Sequence, residues 1–380
     1  MKPSLFFLFL ALFSSVAVAA EPQPLPVPPP PAVAAKAYLL TDFHSGRLLV
    51  QQNANERIEP ASLTKLMTAY LTFSALKQGR LQMNQSLPVS ERAWRAEGSR
   101  MFIQPGKPVT VNELIHGMIV QSGNDACIAL AEGVAGSEEV FAQMMNQQAA
   151  RLGMKNTRFV NSTGLPHPQH YTTAYDLSLL AAAIIRDFPE YYPFYSIKEY
   201  RYNNITQPNR NRLLWLDPYV DGMKTGHTES AGFCLISSAK RGPMRLISVV
   251  LGTASDNTRA TESQKLLNYG FQFFETNRIY TRGQTVATLP VWKGKQNTLK
   301  AGVAGDLHIT LPKGQYPRIK ASLITKQPLL APISAGQTVG TLRIMLDEKP
   351  LADYPLVALE NAPVASIFGR AWDTVKLWFK

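Results

Sequence analysis

The sequence predicts an α+β domain, in which an antiparallel sheet is flanked by helices, followed by a small all-β domain and a C-terminal amphipathic helix. Two hairpin patterns predict the sheet. Strand-like runs at 37–42 and 47–51 are separated by a His-Ser-Gly turn, and runs at 232–241 and 244–253 are joined by Gly-Pro. Blocks of helical periodicity lie between these hairpins, an order that indicates an α+β domain rather than a doubly wound parallel sheet.

Helical patterns fill the region between the hairpins. Pro60 marks the start of the first helix, which runs to about Gln78 and is apolar over most of its circumference, so we expect it to be buried at the centre of the domain. Thr110 and Glu113 form a capping-box pattern that opens a second helix. This helix is predicted to end at 121–124, and a third helix begins directly afterwards.

The pattern changes near Asn277. Short runs at 307–311, 319–323 and 342–345 alternate, or nearly alternate, apolar and polar residues with Gly and Pro between them, which predicts a small β-domain. The predicted boundaries are a signal peptide at 1–20, a proline-rich linker at 21–35, the α+β domain at 36–277, the β-domain at 278–362 and the terminal helix at 363–380.

The N-terminus has the pattern of a secretory signal peptide. Lys2 precedes an apolar run at 5–13, and small residues follow up to Ala20. The alternative, an uncleaved anchor, is disfavoured because the run is too short to span a bilayer. The proline-rich residues 21–35 are expected to form an extended, mobile lead-in that is not part of a core.

The composition limits the partners and the redox chemistry. The formal net charge is +12, which would suit nucleic acid, an anionic membrane or an acidic polymer, but no nucleic-acid-binding motif accompanies the charge. We therefore expect no nucleic acid partner. Cys127 and Cys234 could pair in an oxidising compartment, although two buried free thiols are the favoured interpretation.

The tail at 364–380 is amphipathic when it is drawn as a helix. Its apolar face contrasts with a face of basic and polar residues, and its length of about 25 Å is short for a span. We predict that it lies in the interface of an anionic membrane. Docking onto the protein's own core is the alternative, since two tryptophans also pack well inside proteins. The apolar face comprises Ile367, Phe368, Ala371, Trp372, Val375, Trp378 and Phe379.

A Ser-x-x-Lys pattern at 62–65 is the first of three motifs that could carry chemistry. On a helix, positions i and i+3 share a face, so the amine of Lys65 is expected beside the hydroxyl of Ser62. A neutral lysine can take the serine proton, but lysine ordinarily titrates near 10.4, so its pKa must be lowered by burial or by a second cation. On its own this pattern is usually a solvated helix face.

Two further motifs would complete such a site. Ser122, in the predicted turn between two helices, could relay protons, and Asn124 could orient lysine and substrate. Lys224 lies on a predicted strand and would be the cation that lowers the pKa of Lys65, while Gly226 would let a substrate backbone approach. Each motif alone is more often an ordinary turn or strand.

In this order, the three motifs resemble those of the penicillin-binding protein and serine β-lactamase superfamily. Segments 117–127 and 209–227, the β-domain and the terminal helix look closest to the low-molecular-mass D-alanyl-D-alanine carboxypeptidases. The resemblance implies a serine transpeptidase-like fold without a cofactor. It also implies removal of the terminal D-alanine from peptidoglycan pentapeptides, acylation by β-lactams, and a peripheral location on the periplasmic face of the inner membrane.

The resemblance also implies a role for each motif residue. Ser62 would attack the carbonyl between the two D-alanines, Lys65 would act as the general base, and Ser122 with Asn124 would manage protons and hold the acyl chain. The groups expected to bind the terminal carboxylate are Lys224, Thr225 and Arg210, with Arg212 as the alternative arginine. The backbone N–H groups of Ser62 and His227 would form the oxyanion hole beside Gly226, and the His227 side chain would form a wall.

Three alternative functions stay open. A D,D-endopeptidase or a serine β-lactamase could use the same site, and a catalytically silent penicillin-binding scaffold could keep the fold without turnover. A class A β-lactamase has a glutamate in a Glu-x-x-Leu-Asn pattern that activates the water releasing penicillin. No such pattern occurs between 124 and 224, so we expect slow release of penicillin. His167 and His170 lack a third ligand in the sequence pattern, and we predict no metal site.

Overall fold

The computed structural model describes residues 27–325 and 327–378. The predicted signal peptide and the start of the linker, up to residue 26, lie outside the described residues, as do Phe379 and Lys380.

The first domain contains nine strands and eight α-helices among the described residues. The strands are β1 (Ala37–Asp42), β2 (Leu48–Gln52), β3 (Ser86–Leu87), β4 (Val109–Thr110), β5 (Glu199–Tyr202), β6 (Ile205–Pro208), β7 (Val220–Thr228), β8 (Gly232–Arg241) and β9 (Met244–Thr253). The helices are α1 (Lys65–Lys77), α2 (Glu91–Trp94), α3 (Val111–Val120), α4 (Asn124–Ala135), α5 (Glu138–Arg151), α6 (Ala174–Asp187), α7 (Leu213–Leu216) and α8 (Asp256–Phe273).

A five-stranded antiparallel sheet, in the order β2-β1-β9-β8-β7, divides this domain into two layers. Side chains alternate across a strand, so Leu39 packs into the large core under α1 and α6, whereas Leu40 packs into the core under α8. Both predicted hairpins are present, and the predicted α+β architecture is confirmed.

The buried helix α1 follows a 3₁₀ turn at Ala61–Thr64, with Pro60 as the preceding cap residue. Nearly all of its residues are buried, because α4, α5 and α6 pack around it. The capping box at α3 forms as predicted: Glu113 N–H donates to the Thr110 hydroxyl at 3.2 Å, and Thr110 N–H donates to the Glu113 carboxylate at 2.9 Å.

The second domain is an all-β unit whose core is separate from the first. Its strands are β10 (Phe274–Tyr280), β11 (Thr285–Trp292), β12 (Thr298–Gly302), β13 (Leu307–Pro312), β14 (Ile319–Thr325), β15 (Leu329–Leu330), β16 (Thr338–Leu346) and β17 (Lys349–Ala358). Six of them form a sheet in the order β14-β16-β17-β12-β11-β15, and β10 pairs with β13. Strand β10 begins directly after α8, so it crosses the predicted boundary at 277/278.

The described part of the proline-rich linker packs against the first domain. Val27 and Val33 contact the core under α8, the Tyr269 hydroxyl donates to the Pro28 carbonyl at 3.0 Å, and the Lys265 ammonium donates to the Ala32 carbonyl at 3.0 Å. Residues 27–35 lie outside the helices and strands, but the expectation that they stay apart from the core is corrected. An extended segment leaves its carbonyls free, and donors on α8 bind them.

The terminal helix α9 (Ile367–Trp378) presents its large apolar side chains to solvent. Phe368 is 87% exposed and Trp378 is 82% exposed, so this face does not dock onto the protein's own core. Among residues 27–325 and 327–378, none of the helices is long and apolar enough to cross a membrane. Cys127 and Cys234 are buried free thiols.

A buried carboxylate joins the two domains. Asp42, at the end of β1, accepts hydrogen bonds from Ser45 N–H at 2.7 Å, from the Ser45 hydroxyl at 2.9 Å and from the Thr276 hydroxyl at 2.8 Å. The Ser45 and Thr276 hydroxyls also meet the Thr310 hydroxyl at 2.6 Å and 2.8 Å. The strands β1, β10 and β13 are therefore linked through one buried polar network.

We predict that Asp42→Ala lowers the free energy of unfolding by about 3 kcal/mol, because buried donors lose a charged acceptor. Urea titration monitored by circular dichroism measures the change. Asp353→Ala, which removes an exposed carboxylate paired with Arg343, is the matched control and should have a much smaller effect. Equal effects of the two substitutions would contradict the role assigned to Asp42.

Candidate active site

Ser62 and Lys65 form a hydrogen-bonded pair at the beginning of α1. The Lys65 ammonium nitrogen lies 2.8 Å from the Ser62 hydroxyl oxygen, and it also donates to the Thr163 carbonyl at 2.6 Å. Ser62 lies in the 3₁₀ turn, where residues three apart are nearly eclipsed, which accounts for the short contact. The preceding Ala61 has φ +48°, a conformation that is uncommon for a residue with a side chain and that persists where the surroundings fix it.

The Thr163 carbonyl is positioned by a side chain that the sequence analysis did not single out. The Asn161 carboxamide oxygen accepts hydrogen bonds from Thr163 N–H at 3.2 Å and Gly164 N–H at 2.7 Å. Gly164 has φ +88°, and a Cβ atom there would meet the Ala61 carbonyl oxygen at 1.8 Å. A glycine is therefore required for this turn to approach the residue before Ser62.

Lys224 lies on β7 and bonds to the second predicted serine. Its ammonium donates to the Ser122 hydroxyl at 2.9 Å and to the Thr225 carbonyl at 3.0 Å. Ser122 lies between α3 and α4, as predicted, with φ +61°. The structure thus forms two adjacent lysine–serine pairs, Lys65 with Ser62 and Lys224 with Ser122.

Burial lowers the pKa of both lysines. The pKa of Lys65 is lowered to about 8, first by burial and then by the charge of Arg210. The pKa of Lys224 is lowered well below its usual value, first by burial and then by the charges of Lys65 and Arg210. The sequence analysis assigned the second cation to Lys224, and this is corrected: the charge that lowers the pKa of Lys65 is that of Arg210, and burial is the larger cause.

An open cleft of about 230 Å³ runs along these groups. Its walls contain six of the predicted residues together with three others. They are Ser62, Ser122, Arg210, Thr225, Gly226 and His227 from the predicted set, and Ser99, Phe233 and Arg259 in addition. No carboxylate is among these lining residues, so within the described chain the cleft is basic and polar.

Gly226 brings β7 close to the turn that carries Ser62. A Cβ atom at this position would lie 3.3 Å from the Pro60 carbonyl oxygen and 3.2 Å from the Leu63 side chain. The side chain of His227 stacks on Phe233 with ring centroids 4.0 Å apart, which places it in the wall of the cleft. Of the two candidate arginines, Arg210 lines the cleft, whereas Arg212 lies 3.7 Å from Asp256.

Asn124 is buried at the start of α4 and has one free polar atom. Its amide nitrogen donates to the Glu97 carbonyl at 2.6 Å, while its side-chain oxygen has no hydrogen-bond partner within the described part of the chain. The amide group thus holds the 97–99 loop beside the cleft, and the oxygen is available to a lysine or a substrate N–H.

Sequence reasoning missed Arg259 and Ser99. Arg259, on α8, is buried and donates to the Gly226 carbonyl at 3.1 Å, and it pairs with Asp256. Its sequence signal is weak: at helical spacing it shares a face with Ser263 and Leu266, which are buried. Ser99 lies in a loop whose position depends on distant contacts, and the sequence has no signal for it.

His170 and Cys127 have structural surroundings. His170 shares a hydrogen bond of 2.9 Å with the Thr64 hydroxyl, and burial lowers its pKa to about 4, so its ring is neutral at pH 7. No group of three potential metal ligands is found among the residues that the structure describes. Burial raises the pKa of Cys127 to about 12, which keeps it as a thiol.

A serine hydroxyl held by a buried lysine of lowered pKa, in a cleft lined by cations, is the site of a serine enzyme that transfers acyl groups. The comparisons with known proteins identify the same class. The family description D-alanyl-D-alanine carboxypeptidase matches residues 25–255, and that of the penicillin-binding protein 5 C-terminal domain matches residues 274–363. The chain belongs to the D-alanyl-D-alanine carboxypeptidase family and is a serine-type peptidase, as predicted.

Individual relatives agree along nearly the whole chain. D-alanyl-D-alanine carboxypeptidase DacC of Escherichia coli (strain K12) is 45% identical over 355 residues, covering 91% of this chain and 89% of the relative. The crystal structure of penicillin-binding protein 5 from Haemophilus influenzae has a TM-score of 0.86 at 41% identity, covering 88% of this chain and 99% of that one. Penicillin-binding protein D2 from Listeria monocytogenes, in its ampicillin-bound form, has a TM-score of 0.59 at 32% identity, covering 64% and 100%.

We predict that Lys65→Met removes a pH dependence of stability. The pKa of Lys65 is about 8 in the folded protein, against 10.5 for an unburied lysine. Between these pH values the unfolded chain binds more protons than the folded protein, so the free energy of unfolding of the wild type rises with pH, by up to about 3 kcal/mol. The variant has no amine at this position, so this contribution to the pH dependence is absent. Below pH 8 both states are protonated and the difference is constant.

Urea titrations between pH 7 and pH 10 measure this effect. Lys320→Met, at an exposed position on β14, is the control and should follow the wild type. Parallel curves for the wild type and Lys65→Met would contradict the lowered pKa.

Proposed function

We propose that this chain removes the terminal D-alanine from peptidoglycan pentapeptides through an acyl-enzyme on Ser62. The observation that carries the proposal is the 2.8 Å contact between the Lys65 nitrogen and the Ser62 oxygen. Ser62, Ser122 and Arg210 line the cleft beside this contact, and Lys224 is bonded to Ser122. The names of the relatives, as carboxypeptidases and penicillin-binding proteins, support this substrate class.

In the proposed acylation, the neutral amine of Lys65 takes the proton from the Ser62 hydroxyl, and the serine oxygen bonds to the carbonyl carbon between the two D-alanines. The C–N bond then breaks, and the amine of the departing D-alanine takes a proton that reaches it through the Ser122 hydroxyl. The contact between Lys224 and Ser122 supports this path, because a lysine ammonium can restore the proton that the serine gives up. Water afterwards hydrolyses the ester on Ser62: the water proton passes through the Ser122 hydroxyl to Lys224, and Lys65 returns its proton to the Ser62 oxygen, so that both lysines regain their starting states. The oxyanion that forms in each step is assigned to the backbone N–H groups of Ser62 and His227.

The terminal carboxylate of the substrate is assigned to the cationic end of the cleft. Arg210 provides a planar donor fork, Lys224 a buried ammonium and Thr225 a hydroxyl. The lining residues include no carboxylate that would repel this group. A carboxypeptidase needs such a subsite, because the residue that it removes ends in a free carboxylate.

The same site accounts for the proposed inhibition by β-lactams. The opened ring would stay bonded to Ser62, and release would need a water molecule activated by a base. No carboxylate lines the cleft in the described chain, so deacylation is expected to be slow. The ampicillin-bound form of the Listeria relative supports this class of ligand.

The proposed location is the periplasmic face of the inner membrane, reached by secretion. The leader pattern at 1–20 supports secretion, and the exposed apolar face of α9 supports attachment to the membrane interface. The Asp373 carboxylate of α9 accepts a hydrogen bond from Lys293 N–H at 2.6 Å, so the acidic residue of the helix points to the β-domain while Trp372 and Phe368 remain exposed.

We predict that Ser62→Ala abolishes both the release of D-alanine from a soluble pentapeptide and labelling by fluorescent penicillin. The wild type and Ser322→Ala, an exposed serine on β14, should show both activities. Release by the wild type identifies a carboxypeptidase, whereas cleavage of cross-linked dimers alone would indicate an endopeptidase. Rapid turnover of penicillin would indicate a β-lactamase, and labelling without D-alanine release a silent scaffold.

We predict that deletion of residues 364–380 releases the protein from vesicles containing phosphatidylglycerol, while release of D-alanine from a soluble pentapeptide stays unchanged. The double substitution Phe368→Asp and Trp372→Asp should have the same effect, because each charge placed at the bilayer interface opposes insertion. Trp215→Asp, at an exposed tryptophan of the first domain, is the matched control. Continued sedimentation of the deletion variant with vesicles would overturn the membrane assignment.

A further inference from the structure

A second cleft, of about 520 Å³, lies on the outer side of the loop that borders the active site. Its lining combines two exposed aromatic rings with two arginines and a glutamine amide. The residues are Trp94, Arg95, Arg100, Phe102, Ile103 and Gln104, and we call this cleft the Trp94–Phe102 groove.

The aromatic rings of this groove are partly exposed to solvent. Trp94 is 41% exposed and Phe102 is 39% exposed, and an arginine lies over each ring, with 5.7 Å from the Arg95 guanidinium to Trp94 and 5.3 Å from that of Arg100 to Phe102. Arg95 pairs with Glu91 at 2.9 Å, but in the described chain no ion pair includes Arg100. The groove therefore offers flat apolar faces and a guanidinium without a carboxylate.

The backbone fixes Phe102 in this exposed position. It has φ +68°, which is an outlier for a bulky side chain. The Asp125 carboxylate over-determines the conformation, because it accepts hydrogen bonds from three successive N–H groups, those of Met101 at 3.0 Å, Phe102 at 2.8 Å and Ile103 at 3.3 Å. The carboxylate thus fixes a turn in which Phe102 is exposed between the buried side chains of Met101 and Ile103.

One loop contributes residues to both the groove and the active-site cleft. Ser99 lines the active-site cleft, and the adjacent Arg100 lines the groove. Asn124 binds this loop through the Glu97 and Ser99 carbonyls, each accepting at 2.6 Å. A polymer whose chain end lies at Ser62 would cross this loop to reach the groove.

We propose that the Trp94–Phe102 groove is an accessory subsite for the substrate polymer, a polysaccharide that carries acidic peptides. The C–H faces of sugar rings would pack on Trp94 and Phe102, and the stem-peptide carboxylates would pair with Arg100 and Arg95. This inference rests on the proposed function, and it adds a reason for the enzyme to prefer polymer over free peptide.

The test compares binding and turnover in the full chain. Trp94→Ala and Arg100→Glu should each reduce co-sedimentation with purified insoluble peptidoglycan, and should lower kcat/KM on that polymer by roughly tenfold, equivalent to about 1.4 kcal/mol. Both variants should keep wild-type kcat/KM on a tripeptide ending in D-Ala-D-Ala. The matched controls are Trp372→Ala and Arg282→Glu, which make the same changes at exposed positions on α9 and in the β-domain.

Each outcome has a defined meaning. Wild-type binding and polymer turnover in both variants would overturn the proposed role of the groove. An equal loss of kcat/KM on polymer and tripeptide would also overturn it, since the residues would then shape the active-site cleft. A wild-type chain that releases no D-alanine from the tripeptide would refute the proposed function, while co-sedimentation would still decide whether the groove binds the polymer.

Discussion

The site depends on one buried amine. The Lys65 nitrogen is held between the Ser62 hydroxyl and the Thr163 carbonyl, and this placement removes it from water. Burial disfavours the charged form of an amine, so the same packing that builds the core under α1 also lowers the pKa of Lys65 to about 8. The burial of Lys65 therefore lowers the free energy of unfolding at neutral pH. The same burial gives the lowered pKa that a lysine needs to act as a general base.

Three unusual backbone conformations of the first domain lie beside the two lysine–serine pairs. Ala61 and Ser122, both with positive φ, precede or carry the two hydroxyls, and Gly164 allows the turn behind Lys65 to approach. Such conformations persist only where surrounding contacts fix them. Here Asn161 fixes the turn at 163–164, and β7 lies against the Ser62 turn because Gly226 has no side chain. The catalytic geometry is thus maintained by the folded domain and not by local preference.

Features that depend on residues close together in the chain could be predicted from the sequence, whereas features that depend on distant residues could not. The Ser62–Lys65 contact, the capping box at Thr110 and the hairpins depend on residues close in the chain, and their patterns were sufficient. The Thr163 carbonyl, 98 residues from Lys65, and Arg259, 33 residues from Gly226, are brought in by tertiary packing that leaves no local pattern. The prediction that the linker stays apart from the core was wrong for a related reason. Its polyproline character predicts an extended backbone but does not indicate the donors on α8 that bind it.

The first turn of α4 connects catalysis to the surface beyond it. Asn124 holds the carbonyls at 97 and 99, and Asp125, the next residue, holds the N–H groups at 101–103. Because successive residues of one helix anchor the two halves of the loop, the loop cannot shift at Ser99 without also moving Phe102. Burial raises the pKa of Asp125, and the N–H groups of the loop and of Ala126 oppose this shift by stabilising the charged carboxylate. A binding event in the groove would therefore act on the same rigid loop that forms one wall of the catalytic cleft.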